Sequence, residues 1–100
     1  MPVANREDAL TVLRALLPQL RQLGVTHLAL FGSFARNEMT TQSDIDVLIE
    51  LGPGPQRFQR HLAVADLLEH STGRRVDVIL STTVKPRARR LLDQEQVLVA

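Results

Sequence analysis

Apolar positions recur along the chain with the period of a helix in some stretches and with strand-like runs in others. The first helix is predicted from leucines at helical spacing between Leu10 and Leu23, with Asn5 as its N-cap and Gly24 as its terminator. Because Pro18 lies inside this stretch, we expect it to kink or split the helix. The chain therefore opens with one or two helices.

Three apolar runs have the length and composition of buried strands, and they are Val25–Phe31, Asp44–Leu51 and Val76–Leu80. A short helix is predicted after the first run, from Phe34. The segment Gly52–Pro55 ends the second run.

Two further helices are predicted in the second half of the chain. One runs from Arg57 to about Ser71 and ends before Gly73, with an apolar face of Phe58, Leu62, Ala65 and Leu68, widened by Val64 and Leu67. The last runs from Pro86 to about Glu95.

This order, α-β-α-β-α-β-α, predicts an α/β (α+β) fold with a small three-stranded sheet flanked by helices. A whole helix separates the second strand from the third, which favours a parallel crossover between them. The first strand must run antiparallel to the second if the turn at Gly32-Ser33 and the start of the second strand form one site. The sheet is then mixed, and the 100 residues form a single domain, 1–100.

Composition excludes several classes of protein. The net charge of +1 is too small to indicate a general nucleic-acid or membrane binder. The chain has no Cys, which removes disulfides, thiol nucleophiles and thiolate metal sites. No apolar run approaches the roughly 20 residues needed to span a bilayer, and the N-terminal residues lack the apolar segment of a signal peptide. We therefore expect a cytoplasmic protein.

Acidic residues at the start of the second strand are the strongest indication of chemistry. Asp44 and Asp46 lie two residues apart, so they share one face of the strand. A parallel third strand brings Asp77 alongside them. Three confined carboxylates repel one another unless they hold a cation, and oxygen ligands of this kind suit Mg²⁺ together with substrate phosphates. We predict a site for two Mg²⁺ ions, one activating an attacking hydroxyl and one neutralising a triphosphate.

A phosphate-binding turn is predicted directly after the first strand. Gly32 allows the backbone to approach a phosphate closely, and the Ser33 hydroxyl supplies a donor. Arg36, about one helical turn further on, is expected to add a charge-assisted bond.

Taken together, these residues resemble the DNA polymerase β-like nucleotidyltransferase superfamily. The resemblance rests on Gly32-Ser33, ten intervening residues and Asp44-Ile45-Asp46, with Asp77 on a later strand. The strings Phe31–Arg36 and Ser43–Leu48, and Lys85-Pro86-Arg87 before the last helix, are similar to the minimal, antitoxin-like members. One departure is Asn37, where the family often has Gly; Asn tolerates a left-handed backbone.

The resemblance implies a catalytic and metal-binding set of Asp44, Asp46 and Asp77, and contacts from Gly32 and Ser33 to nucleotide phosphates. It implies transfer of a nucleoside monophosphate, commonly AMP from ATP, to a hydroxyl. It also implies a helical HEPN-type toxin as partner, modified on a tyrosine. This chain has no Tyr, so the acceptor must come from the partner.

Alternative interpretations remain open at this point. The acidic residues at the strand start suit turn and cap positions, Asp77 could pair with Arg74 or Arg75, and Ser33 could be an ordinary turn hydroxyl. The arginine clusters are most simply solvated surface, namely Arg57 and Arg60, Arg74 and Arg75, and Lys85 to Arg90. His27, His61 and His70 are assigned to structure or surface.

Three functions compete. The leading hypothesis is an enzyme, an Mg²⁺-dependent nucleotidyltransferase acting as an antitoxin by modifying its partner. A non-catalytic antitoxin that occludes its toxin is the alternative. Nucleic-acid binding ranks low, because the three Phe residues lie in apolar contexts and no other aromatic residue is present. Whether the chain forms a homo-oligomer is open.

Overall fold

The structure, a computed structural model, describes residues 2–100 apart from the side chains of residues 91–93. Within that range the helices are α1 (Arg6–Ala15), α2 (Leu17–Gln22), α3 (Gly32–Arg36), α4 (Arg57–Thr72) and α5 (Pro86–Glu95). The strands are β1 (Val25–Phe31), β2 (Ile45–Leu51), β3 (Val76–Leu80) and β4 (Val97–Leu98), with a 3₁₀ turn at Ser81–Thr83. The predicted order of elements is confirmed.

Local signals in the sequence set the first two helices. The Asn5 side chain accepts a hydrogen bond from the backbone N–H of Asp8 at 2.9 Å, which satisfies one of the free donors of the first turn. Pro18 lies in the first turn of α2, where its missing N–H removes no helical bond. The predicted split at this proline is confirmed.

The sheet has the order β3-β2-β1-β4 and is mixed, as predicted. Strands β1 and β2 are antiparallel, and β2 and β3 are parallel. The prediction of three strands was one strand short, because β4 pairs antiparallel with β1 through Ala29–Leu98 and Leu30–Val97. Two residues are too few to show the alternation of a strand, so β4 is defined by backbone pairing alone.

The two faces of the sheet are unequally covered. Alternate residues of β2, such as Val47 and Ile49, join a large core that also includes Leu13 and Phe34 of the helices. The opposite face has a small buried cluster, consisting of Ala29, Phe31 and Leu48 with Ile79 and Val84 packed against it. Charged residues of β2 and β3 must therefore lie on this second face.

Helix α4 buries a different side from the one predicted. Val64, Leu68 and Thr72, at four-residue spacing, are fully buried. Phe58 and Leu62 are 69% and 49% exposed, so their assignment to a buried face was wrong. They lie on another side of the helix from the buried stripe.

Arg60 was predicted to lie on a solvated face, and that prediction was also wrong. Its guanidinium donates to four backbone carbonyls, those of Pro55, Gly52, Gly54 and Leu23, at 3.1–3.4 Å. It thereby fastens the Gly-Pro loop after β2 to the end of α2. Among the described residues, no helix is both long and apolar enough to cross a membrane.

Candidate active site

The Gly32-Ser33 turn lies directly beside the first acidic residue of β2. Phe31, the last residue of β1, pairs with Asp46 across the antiparallel ladder. Gly32 has a φ of +68°, and a Cβ at this position would collide with Oδ2 of Asp46 and lie 3.3 Å from its Cγ. Any residue other than glycine would therefore be strained and would also displace the carboxylate.

Asp77 lies next to Asp46 on the neighbouring strand. The two residues are in register in the parallel β2–β3 ladder, so their side chains leave the same face of the sheet. Asp44 precedes Asp46 by two residues and lies just before β2, which begins at Ile45 rather than at Asp44 as predicted. The end of β1 and the starts of β2 and β3 therefore lie at the same edge of the sheet.

The charges of Asp77 and Asp44 act on the carboxyl group of Asp46. Burial raises the pKa of the half-buried Asp46 carboxyl above its usual range, and the negative charges of Asp77 and Asp44 raise it further. The positive charge of Arg36 lowers that pKa in part. In the described part of the chain, none of the three carboxylates accepts a hydrogen bond or forms an ion pair. The alternative in which Asp77 pairs with Arg74 or Arg75 is therefore wrong for this structure.

Ser33 is the second residue of α3 and directly follows Gly32. The Ser33 side chain is half-buried, and its hydroxyl makes no hydrogen bond to any of the described residues. Its backbone carbonyl accepts a bond from Glu38 N–H at 2.8 Å, which closes the end of the helix. The hydroxyl is therefore available to a ligand.

Asn37 ends α3 in the left-handed conformation, with φ 59° and ψ 38°. Its Oδ1 accepts a hydrogen bond from the backbone N–H of Arg6 at 3.2 Å, at the start of α1. Asparagine thus supplies a left-handed turn at this position, and it also holds α1 against α3.

Arg36 lies near the site but is engaged by glutamates. Its Nε lies 3.2 Å from Glu38 Oε2 and its Nη1 lies 3.2 Å from Glu95 Oε2, and the side chain is 43% exposed. The pair with Glu95 ties α3 to the end of α5. Binding of a phosphate by Arg36 would compete with these two exposed ion pairs, which contribute little stability.

Arg74 is a residue that the sequence interpretation missed, since it was assigned to a solvated face. It is half-buried, and its guanidinium lies 5.0 Å from the centre of the Phe34 ring. It also donates to backbone carbonyls of Val3, Thr40, Thr41 and Ser43. Strand parity could have found it, because Arg74 has the same parity as the buried Val76 and Val78, whereas Arg75 has that of Asp77.

The basic residues before and within α5 lie beyond the second face of the sheet. Val84 packs on the small cluster of that face, and Lys85 and Arg87 follow it on exposed positions. Arg89 lies 3.7 Å from Glu50 of β2. Among the histidines, His61 Nε2 lies 2.9 Å from the carbonyl oxygen of Val78, which is a structural contact.

The three carboxylates fit a divalent cation by their chemistry. Within the described residues, no three acidic or histidine side chains are grouped tightly enough to hold a metal ion. Asp44 and Asp77 are nevertheless exposed and unbonded, so their side chains are free to turn toward Asp46. Burial, followed by the charges of Asp77 and Asp44, raises the pKa of Asp46, and a bound cation would oppose that rise by favouring the ionised carboxylate.

Comparison with known proteins identifies the family. Residues 13–98 match the family described as the nucleotidyltransferase domain. A protein of Methanocaldococcus jannaschii, provisionally named a protein adenylyltransferase, is 37% identical over 73% of this chain and 77% of its own length. The protein adenylyltransferase MntA of Thermococcus cleftensis is 28% identical over 99% of this chain and 100% of its own.

Solved structures share the fold. A structure provisionally described as a minimal nucleotidyltransferase has a TM-score of 0.82 and 29% identity, covering 94% of this chain and 95% of that one. A complex of a tri-AMPylated Shewanella oneidensis HEPN toxin with an MNT antitoxin has a TM-score of 0.64 and 14% identity. That match covers 91% of this chain and 71% of the other.

Proposed function

Because the chain belongs to the nucleotidyltransferase domain family, we propose that it is a protein adenylyltransferase that transfers AMP from ATP to a hydroxyl of a partner protein. Family membership makes it a nucleotidyltransferase. To this family activity the proposal adds ATP as the donor, Mg²⁺ as the cofactor and a helical HEPN-type toxin as the acceptor. The protein would then act as the antitoxin of a two-component system.

The close approach of Gly32 to Asp46 is the observation that carries this proposal. It brings the Gly32-Ser33 turn next to the Asp46 carboxylate, and Asp77 is in register with Asp46 on the neighbouring strand. We assign Gly32 and Ser33 to the phosphates of the nucleotide. Arg36 adds positive charge at the edge of the same site.

We assign Asp44, Asp46 and Asp77 as ligands for divalent metal, most simply Mg²⁺. When bound, Mg²⁺ lowers the pKa of an attacking hydroxyl and neutralises charge on a triphosphate. The residues of this chain hold the donor in place with its α-phosphate facing the acceptor. The acceptor oxygen forms a bond to the α-phosphorus, the bond to the β-phosphate oxygen breaks, pyrophosphate leaves, and the hydroxyl proton passes to solvent.

The acceptor must come from another protein if it is a tyrosine, because this chain contains no Tyr. Two observations support a HEPN-type partner. MntA of Thermococcus cleftensis, which this chain matches over 100% of that protein's length, is named a protein adenylyltransferase. A structural neighbour is an MNT antitoxin bound to a tri-AMPylated HEPN toxin.

A labelling experiment tests the proposal. The chain is incubated with Mg²⁺, ATP labelled at the α-phosphate and a candidate HEPN-type partner protein, and label on that partner is measured. We expect transfer by the wild type and none by the double variant Asp44→Asn/Asp46→Asn. Asp66→Asn is the matched control, because Asp66 is an exposed aspartate on α4 away from the strand ends.

Two outcomes would contradict the proposal. Full neutralisation of the toxin by the double variant, with no label transferred by any protein, would favour occlusion. Transfer at the wild-type rate by the double variant would remove the assigned residues from the reaction. Competition by unlabelled GTP, CTP or UTP as effectively as by ATP would contradict the choice of ATP.

A further inference from the structure

We propose that Arg74 is a positioning residue of the site, which fixes the loop before Asp44 against the helix that carries Ser33. The inference rests on the proposed function, since it concerns the same site. It is carried by contacts that no assigned role of Arg74 explains. Arg74 itself touches neither the carboxylates nor Ser33 in the described contacts, so it acts through its neighbours.

The first contact is with the loop that leads into β2. Arg74 Nη1 donates to the carbonyl oxygen of Ser43 at 2.9 Å, and to those of Thr40 and Thr41 at 3.3 and 3.4 Å. The Ser43 carbonyl belongs to the same planar peptide group as the N–H of Asp44. Fixing that peptide therefore fixes the position of the Asp44 Cα, which lies in the same plane.

The loop needs this external support because its own bonds are local. Thr40 N–H donates to Ser43 Oγ at 2.8 Å, and Ser43 N–H donates to the Thr40 carbonyl at 3.2 Å. These bonds close the turn on itself, but they do not attach it to the rest of the protein. Among the described residues, side-chain bonds from elsewhere to these loop carbonyls come from Arg74.

The second contact is with α3. The Arg74 guanidinium lies 5.0 Å from the centre of the ring of Phe34, a fully buried residue that directly follows Ser33. A cation over an aromatic face contributes attraction as well as packing. One side chain therefore touches both parts of the site, the Gly32-Ser33 helix through Phe34 and the Asp44 strand through Ser43.

The backbone around Arg74 anchors it firmly. Gly73 ends α4 in the left-handed region, with φ +70°, and so directs the next residue toward the sheet. Arg74 Nε donates to the Val3 carbonyl at 2.7 Å, and the next residue, Arg75, accepts at its carbonyl from Ile45 N–H at 2.9 Å. A guanidinium has several donors in a fixed plane, which is why one Arg can serve several carbonyls at once.

The chain offers two controls. Arg60 also donates to four backbone carbonyls, but at the opposite end of β1 and β2, where no assigned site residue lies. Arg75 is adjacent to Arg74 and exposed, and its side chain has no partner among the described residues. Arg60→Met therefore controls for the loss of a guanidinium that bonds several backbone carbonyls. Arg75→Met controls for the loss of one positive charge.

The test compares Arg74→Met and Arg74→Lys with these controls by two measurements at a temperature where all are folded. Hydrogen exchange measures the exchange rates of the backbone amides of residues 40–46. The amides at the centre of β2 serve as the reference for global unfolding. Electron paramagnetic resonance reports the binding of Mn²⁺ in the presence of a non-hydrolysable ATP analogue. Transfer kinetics, as separate kcat and KM values, are a third readout.

We expect Arg74→Met to raise exchange in residues 40–46 by about tenfold relative to the reference amides. We expect it to weaken Mn²⁺ binding by about tenfold, the range found when groups that orient metal ligands are removed. Arg74→Lys should recover part of both effects, because an ammonium reaches fewer carbonyls. Arg60→Met should raise exchange around residues 52–55 alone, and Arg75→Met should resemble the wild type.

Equal exchange of residues 40–46 in Arg74→Met and Arg60→Met would overturn the inference, as would unchanged Mn²⁺ binding. If the wild type transfers no AMP, the proposed function fails, whereas the exchange measurement still decides whether Arg74 fixes the loop. If all variants transfer AMP with wild-type kcat and KM, the proposed function stands and the role of Arg74 is refuted.

Discussion

Gly32→Ala isolates the close approach between the turn and the Asp46 carboxylate. Gly32 has a φ of +68°, a conformation that costs an L-residue about 1–2 kcal/mol. Alanine offsets about 0.4–1 kcal/mol of that cost, because it lowers the conformational entropy of the unfolded chain. The net loss of stability is therefore about 1 kcal/mol, which corresponds to a fall in Tm of about 4–8 °C for a domain of this size.

The functional loss is expected to be much larger than the loss of stability. The new Cβ would collide with Asp46 Oδ2 and lie 3.3 Å from Cγ, so the carboxylate must rotate away. Rotation of one side chain costs little folding energy, but it moves an assigned metal ligand. A displacement of about 1 Å in a catalytic arrangement can cost about 100-fold in rate, and we expect at least that loss of AMP transfer.

Gly24→Ala is the matched control. Gly24 has a φ of +92°, and its added Cβ would collide with Nη1 of Arg60 and lie 3.4 Å from Cζ, at the end of the sheet remote from the site. Both variants should lose stability in thermal unfolding, and Gly24→Ala should keep its rate of transfer. Equal transfer by the two variants would refute the reasoning that the Gly32–Asp46 contact matters.

Two other predictions concern stability. Burial and the charges of Asp77 and Asp44 raise the pKa of the Asp46 carboxyl above its ordinary value of 3.8, so the ionised carboxylate opposes folding once the pH exceeds that value. Asp46→Asn should therefore be more stable than the wild type at pH 7 in urea unfolding, with a difference that narrows as pH falls toward 3.8; a less stable variant would contradict this. Asn5→Ala should lose about 1 kcal/mol through loss of the α1 cap, with transfer unchanged, and an unchanged Tm would show that the cap is dispensable.

Most of the architecture could be predicted because its signals are local. Asn5, Pro18 and Gly73 mark helix ends through their own conformational preferences, and the apolar runs of β1 to β3 are long enough to be recognised. Strand β4 could not be predicted in this way, since its two residues are a strand only through their bonds to β1. That residues 1–100 form one domain stays a prediction.

The acidic and glycine positions of the proposed site could be predicted because spacing and strand parity are visible in a sequence. The contacts of Arg74 and Arg60 were not predicted, because they include carbonyls that are distant along the chain and become neighbours after folding, that of Val3 for Arg74 and that of Leu23 for Arg60. The engagement of Arg36 by Glu95 has the same origin. Long-range contacts of charged side chains are therefore the part of this protein that patterns do not reveal.

The sheet has one heavily packed face and one sparsely packed face, and this difference affects which substitutions the fold tolerates during evolution. Asp46 and Asp77 leave the sparsely packed face, so replacing them empties no space in the large core. A lineage can lose either carboxylate by substitution and still produce a folded chain with an unchanged outer shape. Copies of this chain that lack the two carboxylates therefore need no compensating change elsewhere to keep their fold.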